Sequence, residues 1–477
     1  MVANTFEPIS NLWLIVASAL IFFMNAGFAM LETGFCRTGN AIGVLAKNLI
    51  VFCIATLAFW LLGFRFMLGD SPDSFLGEIG LLGQLGWGVD FPFPSANLPN
   101  PFPEGFEALS SGWVGRSFSV LFFFQLVFAG TAATIVSGAI AERIKFWAFL
   151  LFSLILVGLI YPLIGHWVWG GGWLASDSIQ FRDFAGSAVV HSVGGMAALV
   201  GAAVIRPRQE RFGYNVESNR FDLTEDPERF SAYSLSLATL GCLILWLGWF
   251  GFNGGSTTQL EYIGHILITT FFAAAAGGIG AVIFSPFVTD QKARLASIIN
   301  GILGGLVGIT ACSAYVSANN ALIIGAFSGL IVLWGEKLLI RLRIDDPVGA
   351  VPVHLLCGGW GTLSVGLFAS PNASEYQLQN YSRLVQTGYQ ILGWFSICFT
   401  VAILSLVAWV GIGIILYILS PPSERIHRAQ MKRISIRKVY GKSKQSEQLR
   451  QLIHISRHGL RVPLAMEETG GTPTLLP

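Results

Sequence analysis

The chain has 477 residues, of which 53% are hydrophobic and 12% charged, and its formal net charge is +2. A mean hydropathy of +0.63 is more than a soluble core of ordinary composition can hide, which excludes a soluble globular protein and points to a polytopic membrane protein. The lipid bilayer is therefore the first partner, and nothing in the charge pattern suggests a nucleic acid.

Apolar windows of about 20 residues, enough to cross a hydrocarbon core, run in chain order over 9–31, 45–66, 117–140, 147–172, 186–205, 233–252, 264–285, 296–317, 320–341, 348–368 and 390–419. They predict an all-α integral membrane protein with eleven transmembrane helices. An odd number puts the two ends on opposite sides. Of the 29 basic residues, 25 fall on one side and only Arg65, Arg116, Arg182 and Arg383 on the other. By the positive-inside rule the N-terminus is outside and the C-terminus cytoplasmic.

The first window has nothing basic before it and runs on to Leu31-Glu32-Thr33-Gly34, so it reads as a retained helix rather than a signal peptide. The connection over 67–116 is rich in Gly and Pro and acidic at Asp70, Asp73, Glu78, Asp90, Glu104 and Glu107. It reads as an external cap or surface loop. The segment Arg206 to Arg229 mixes five Arg with Glu210, Glu217, Asp222, Glu225, Asp226 and Glu228, the composition of a solvated cytoplasmic loop. A transmembrane unit over 1–420 is followed by a polar tail over 421–477, strongly basic from Arg425 to Lys444 and suited to anionic headgroups. The six cysteines (Cys36, Cys53, Cys242, Cys312, Cys357 and Cys398) have no metal-type spacing and read as packing residues.

Two stretches share the pattern Asp-x-x-Gly-x-x-x-Val-His: Asp183-Phe-Ala-Gly186-Ser-Ala-Val-Val190-His191 and Asp346-Pro-Val-Gly349-Ala-Val-Pro-Val353-His354. Each then reaches a Gly-Gly pair, Gly194-Gly195 and Gly358-Gly359. Halves of five helices, about 9–205 and 233–368, must run in opposite directions across the membrane. The pattern thus predicts an inverted 5+5 repeat plus a last helix over 390–419, with the functional site between the halves. Eight helical residues rise ~12 Å, which brings each His near mid-membrane. An ionisable group there is a functional candidate, against the alternative of polar glue between helices. Side by side, two neutral imidazoles can hydrogen-bond each other and suit a small polar solute or a proton. Too few Cys, Asp or Glu stand near either His to complete a metal shell of the usual count.

Each Asp suits a helix N-terminus, where a carboxylate caps free N–H groups. That role fits Asp346, whereas Asp183 at the outer end can also support the mouth where a cation arrives. Phe128, Trp169 before Gly170-Gly171-Gly172, and Phe252 before Asn253-Gly254-Gly255-Ser256 add aromatic residues to the same axis. They read either as packing in a Gly-rich bundle or as a lining that holds a small cation by its π-faces and plugs a narrow pore behind it.

These stretches, with Gly27-Phe-Ala-Met-Leu-Glu-Thr-Gly34, Gly138-Ala-Ile-Ala-Glu142-Arg143, Gly248-Trp-Phe-Gly-Phe-Asn-Gly-Gly-Ser256, Asn300 to Thr310 and Asp345-Asp346-Pro-Val-Gly to Gly361, resemble the ammonium transporter (Amt) branch of the Amt/Mep/Rh superfamily. The resemblance covers nearly all the helices. It implies that Trp169 and Ser256, with the ring of Phe128, form an outer ammonium recruitment site supported by Asp183. It further implies that Phe128 and Phe252 form a stacked gate and that His191 and His354 line the pore. A homotrimer in the cell membrane with one pore per subunit, ammonium and methylammonium as substrates, and no cofactor follow from the same resemblance. The Trp169 and Ser256 arrangement favours net electrogenic uptake over an Rh-like electroneutral NH3 channel.

The tail departs from the family pattern. Only Leu460-Arg461-Val462 and Glu467-Glu468-Thr-Gly470 are similar to the start of the family's coupling element, and a basic segment precedes them. Docking of a PII-type signalling protein at the cytoplasmic face therefore follows from the family alone. Two other classes stand against transport: an ammonium sensor or transceptor of the same fold, although no recognisable kinase or cyclase domain follows residue 420, and a membrane enzyme using the His pair as acid and base. The latter lacks a nucleophile, metal or cofactor motif, so the chain reads as not an enzyme.

Overall fold

The computed structural model describes residues 7–71, 75–77, 88–89, 91, 102–113, 115–215, 220–223, 230, 232–289, 292–370, 382–420, 456–457 and 459–462. Its helices in chain order are α1 (Pro8–Phe35), α2 (Thr38–Leu68), α3 (Phe118–Ala139), α4 (Phe146–Ala175), α5 (Ser187–Ile205), α6 (Leu235–Gly254), α7 (Leu260–Thr289), α8 (Leu295–Thr310), α9 (Ala318–Leu342), α10 (Val351–Phe368) and α11 (Arg383–Leu419). Among the described residues ten of them are long and apolar enough to cross a membrane; α8 is apolar but shorter. In a bilayer core a helix satisfies its own backbone, and that makes long apolar windows fold this way.

The eighth window, expected over 296–317, ends as a helix at Thr310. There the carbonyls of Thr310 and Ala311 accept from the backbone N–H groups of Ala185 and Phe184, both at 3.1 Å. Helix-end acceptors that would otherwise need further helix are thus satisfied by the loop leading into α5.

Small residues let the helices approach closely, as is usual where packing rather than water drives association. Helix α1 lies along α6, and a Cβ on Gly241 would come within 2.5 Å of the Leu31 nitrogen. In the second half α7 lies against α9, where a Cβ on Gly325 would sit 2.1 Å from the Ala273 carbonyl oxygen. Helix α11 instead turns large side chains outward, with Leu384 85% and Phe399 69% exposed, as a lipid-facing helix would.

The all-α expectation needs one amendment. In the connection between α5 and α6, β1 (Phe212–Asn215) and β2 (Arg220–Leu223) form an antiparallel pair, with Phe212 opposite Leu223 and Asn215 opposite Arg220. The expectation of a plain solvated loop is corrected at its start as well, since Arg208 is buried. In the connection between α2 and α3, Asp70 caps a short helix, Glu107–Gly112, by accepting from the Glu107 and Ala108 nitrogens at 2.6 and 3.0 Å. Asp73, Glu78 and Asp90 lie outside the described residues, as do Arg425 to Lys444 and Glu467 to Gly470. All six cysteines are free, and only Cys53 is exposed.

Candidate functional site

Helices α5 and α10 begin alike. Each is preceded by a glycine with positive φ, Gly186 at 107° and Gly349 at 79°, a conformation that strains a residue carrying Cβ. Each opens on a wide π turn, Ser187–Ser192 and Val351–Leu356, a local irregularity that recurs at functional sites. The aspartates cap these turns. Asp183 accepts from the nitrogens of Gly186 at 3.0 Å and of Ala188 and Val189 at 2.8 Å. Asp346 accepts from Val348 at 3.4 Å, Gly349 at 3.1 Å and Val351 at 2.7 Å. Both carboxylates are consumed by backbone, so neither is aimed at a solute.

Each turn delivers a histidine to one point. His191 Nδ1 and His354 Nδ1 are 3.1 Å apart, with both residues buried. Hydrogen-bonded neutral imidazoles in this geometry require opposite tautomers, one ring donating through Nδ1 and its neighbour accepting there. That leaves the two Nε2 atoms at the outer ends of the pair. Gly-Gly pairs following the histidines permit the approach: a Cβ on Gly195 would lie 2.5 Å from the Leu355 nitrogen, and one on Gly358 2.5 Å from the Ser187 carbonyl oxygen.

The aromatic residues form a column of rings continuing from this pair. His191 stacks on Phe252 at 5.4 Å, Phe252 on Phe128 at 4.1 Å and 28°, and the Phe128 ring meets Trp169 edge-on at 6.1 Å. Phe128 and Phe252 are both buried and close the column. Trp169 is half-buried, and its Nε1 donates to the Asp183 carbonyl oxygen at 2.8 Å. Asp183 thereby fixes the indole through its backbone, leaving the π-face free for a cation. One turn beyond Phe252, Ser256 Oγ donates to the Phe252 carbonyl at 2.9 Å, which leaves the hydroxyl's acceptor capacity available.

Two features escaped sequence reasoning. Trp249 stacks on His191 at 5.1 Å and 15°, held by its Nε1 bond to Thr310 Oγ1 at 2.8 Å; it lies one helical turn before Phe252, a spacing that could have flagged it. On the far side of the pair, Phe28 meets His354 at 6.1 Å, and a cavity beneath is lined by His354, Phe28, Glu32 and Asn300.

At the face expected to be cytoplasmic, Arg208 holds Asp345 through Nε at 2.8 Å and Nη2 at 2.9 Å, and reaches Glu142 through Nη1 at 2.9 Å. Arg37 also pairs with Glu142, and Arg143 Nη2 donates to the Asp345 carbonyl at 2.6 Å. Burial works to raise both carboxyls, but the guanidiniums prevail: Arg208 and Arg143 hold Asp345 far below its ordinary range, and Arg208 and Arg37 lower Glu142. The Phe230 ring lies about 5 Å from the guanidinium carbons of Arg37, Arg208 and Arg211. The tail also reaches this face, where Val462 N donates to the Arg143 carbonyl at 3.0 Å and Lys145 N to that of Leu460 at 2.7 Å.

Comparison with known proteins gives consistent likenesses. Residues 12–433 match the Ammonium Transporter Family. Ammonium transporter Amt2 of Archaeoglobus fulgidus is 37% identical over 387 residues, 78% of this chain and 74% of that protein. Ammonium transporter 1 member 3 of Solanum lycopersicum is 32% identical over 438 residues, 86% of each. Among solved structures, a sensor Amt protein aligns with a TM-score of 0.74 at 31% identity over 98% of both chains. Mep2 of Candida albicans aligns with a TM-score of 0.71 at 24% identity, over 86% of this chain and 85% of that one, a likeness of fold alone.

Proposed function

The chain belongs to the ammonium transporter family, as a multi-pass integral protein of the cell membrane and not an enzyme, and from that premise we propose that each subunit carries ammonium inward along the ring column. All eleven helices span, with the N-terminus outside, residues 1–420 forming the transporter as an inverted repeat and 421–477 the cytoplasmic tail. Trp169, Phe128 and Ser256 recruit the cation and replace part of its hydration by π-contact and a hydroxyl acceptor. A charge cannot cross the apolar segment cheaply. Ammonium therefore gives up its proton near the Phe128 and Phe252 gate, and NH3 passes His191 and His354. The proton moves separately along the imidazoles: a proton taken up at one Nε2 shifts the one shared between the Nδ1 atoms and releases another at the far Nε2.

The observation that carries this reading is the direct 3.1 Å contact of the two buried imidazoles beneath a closed aromatic stack. The subunits form a homotrimer with separate pores. A PII-type partner would meet the face held by Arg208, Asp345 and Glu142. The test is uptake of labelled methylammonium by cells lacking their own transporters, paired with ammonium-evoked current in proteoliposomes. Uptake with current supports net transport, uptake without current supports an Rh-like electroneutral channel, and neither, from well-expressed protein, defeats the transport reading. The likeness to a sensor Amt protein over 98% of both chains favours a sensor as the second reading, which that last result would select.

A further inference from the structure

The cavity below His354 has polar chemistry that neither the histidine pair nor the aromatic column uses. Helix α1 presents Phe28 against the His354 ring and, one turn further on, Glu32; residues four apart share a helix face. Glu32 is 1% exposed and lines the cavity with Asn300, 4% exposed, and His354. Its bonds are lopsided. Asn48 Nδ2 at 3.1 Å and Ser137 Oγ at 2.8 Å both donate to Oε2, while the buried Oε1 has no hydrogen-bond partner. Asn300 repeats the pattern: its Nδ2 donates to Glu336 Oε1 at 3.1 Å and to the Val348 carbonyl at 3.3 Å, leaving Oδ1 buried without a partner. Two orphaned acceptor oxygens on residues that line one cavity are costly unless a donor reaches them.

The charged side chains acting on Glu32 are Lys47 from α2 and Asp346 from the turn before α10. Lys47 Nζ is buried without a hydrogen-bond partner and lies 5.6 Å from the Phe149 ring centroid, so it does not occupy Oε1.

We propose that this cavity is where ammonia and its proton rejoin, with Glu32 as the proton carrier and Asn300 Oδ1 as a second acceptor for the ammonium that forms. The inference rests on the transport reading above. The Glu32 carboxyl gives its proton to NH3: one O–H bond breaks, one N–H bond forms, and a carboxylate faces the new cation. When ammonium leaves, the proton passed down through His354 restores the carboxyl, so the cycle balances with one NH3 and one proton entering and one NH4+ leaving. The bonds of Asn48 and Ser137 to Oε2 leave Oε1 as the oxygen available for this exchange.

The test is Glu32→Gln, which can still accept from Asn48 and Ser137 but cannot carry a proton, beside Glu32→Asp and Asn300→Leu. Ammonium-evoked current is read in proteoliposomes while the pH on the tail side is varied, with assembly followed by size-exclusion chromatography. Wild-type current establishes the transport reading first; a wild type without current defeats that reading and this one together. Given wild-type current, the expected result is that Glu32→Gln assembles normally, carries at least fivefold less current and no longer responds to tail-side pH. Glu32→Asp should restore part of the current with a displaced pH profile, and Asn300→Leu should lower the current about twofold. Glu32→Gln with wild-type current and pH profile overturns the proposal. Should Glu32→Gln fail to assemble, Glu32→Asp decides, and a pH profile identical to wild type overturns it.

Discussion

Asp183 and Asp346 stand at equivalent places in the two motifs and do the same local work, each absorbing three backbone N–H groups that a helix start leaves unpaired. What differs is the neighbour, because only Asp183 also offers its carbonyl oxygen to an indole, that of Trp169. Asp183→Ala therefore removes a buried cap while keeping the backbone carbonyl that holds Trp169. A lost cap costs ~1 kcal/mol, and stranded buried N–H groups cost ~1–3 kcal/mol more. Thermal unfolding in detergent should show that loss, and Asp183→Asn, which keeps one acceptor oxygen, should lie between; a variant as stable as wild type would contradict the capping role. The histidines make the opposite prediction. Each contributes one shared hydrogen bond to folding and, in the proposed mechanism, the proton path, so His191→Ala and His354→Ala should leave assembly intact and lower the ammonium-evoked current by roughly 100-fold, the low end of the ~10²–10⁴ typical of a lost proton-transfer group. If both variants matched wild type in current and uptake, the pair would be packing alone.

At the scale of elements, the helices were legible because apolar length is itself the physical requirement for crossing a bilayer, and each of the expected windows coincides with a helix. The early end of α8 was not legible, since it depends on Phe184 and Ala185 arriving from over a hundred residues away to take its terminal carbonyls. The β1–β2 pair was missed because Phe212–Leu223 carries charge and turn-forming residues but too short an alternation to signal strands. In the site, the repeated motif announced His191, His354 and both aspartates, whereas Glu32 and Asn300 belong to different helices and meet only in three dimensions. Close helix approach was visible as glycine content but not as partners. Gly325→Val tests one such contact: with the Ala273 carbonyl oxygen 2.1 Å from the built Cβ, α7 and α9 must separate. Overpacking costs ~1–3 kcal/mol, and more where rigid backbone is the obstacle, so size-exclusion profiles should show loss of the assembled species, while Gly264→Val in α7, where nothing lies within 4 Å, should not. Equal behaviour of the two would mean that the α7–α9 contact is not limiting.

Across the whole molecule, the Arg208 network ties the end of α3, the α5–α6 connection and the approach to α10 together at one face. Glu142 follows α3, Asp345 precedes α10, and Arg208 lies in the connection between α5 and α6. A buried pair is weak evidence of net stability, but removing one partner leaves a buried charge without its counterion, at ~3–5 kcal/mol. Arg208→Ala leaves Glu142 with Arg37 alone and Asp345 with only the longer 3.5 Å contact to Arg211, and should destabilise the fold by up to about that much, read as a lowered unfolding temperature at neutral pH. The sign of the pH dependence separates this from simple loss of packing. Asp345 and Glu142 are held below their ordinary range in the folded protein, so their contribution is complete above the ordinary carboxylate pKa, about 4, and is lost as pH falls further through the depressed values. Wild type should therefore lose stability on acidification from about pH 5 to pH 3. Without the guanidinium, burial favours the neutral carboxyls, and Arg208→Ala should change little or gain stability over the same interval, so the two curves converge in acid. Because Val462 N donates to the Arg143 carbonyl and Lys145 N to that of Leu460 on this same face, the variant should also release the tail, and faster amide exchange at Val462 and Lys145 would report it. Parallel stability curves at all pH values would mean that the arginine acts through packing and not through charge.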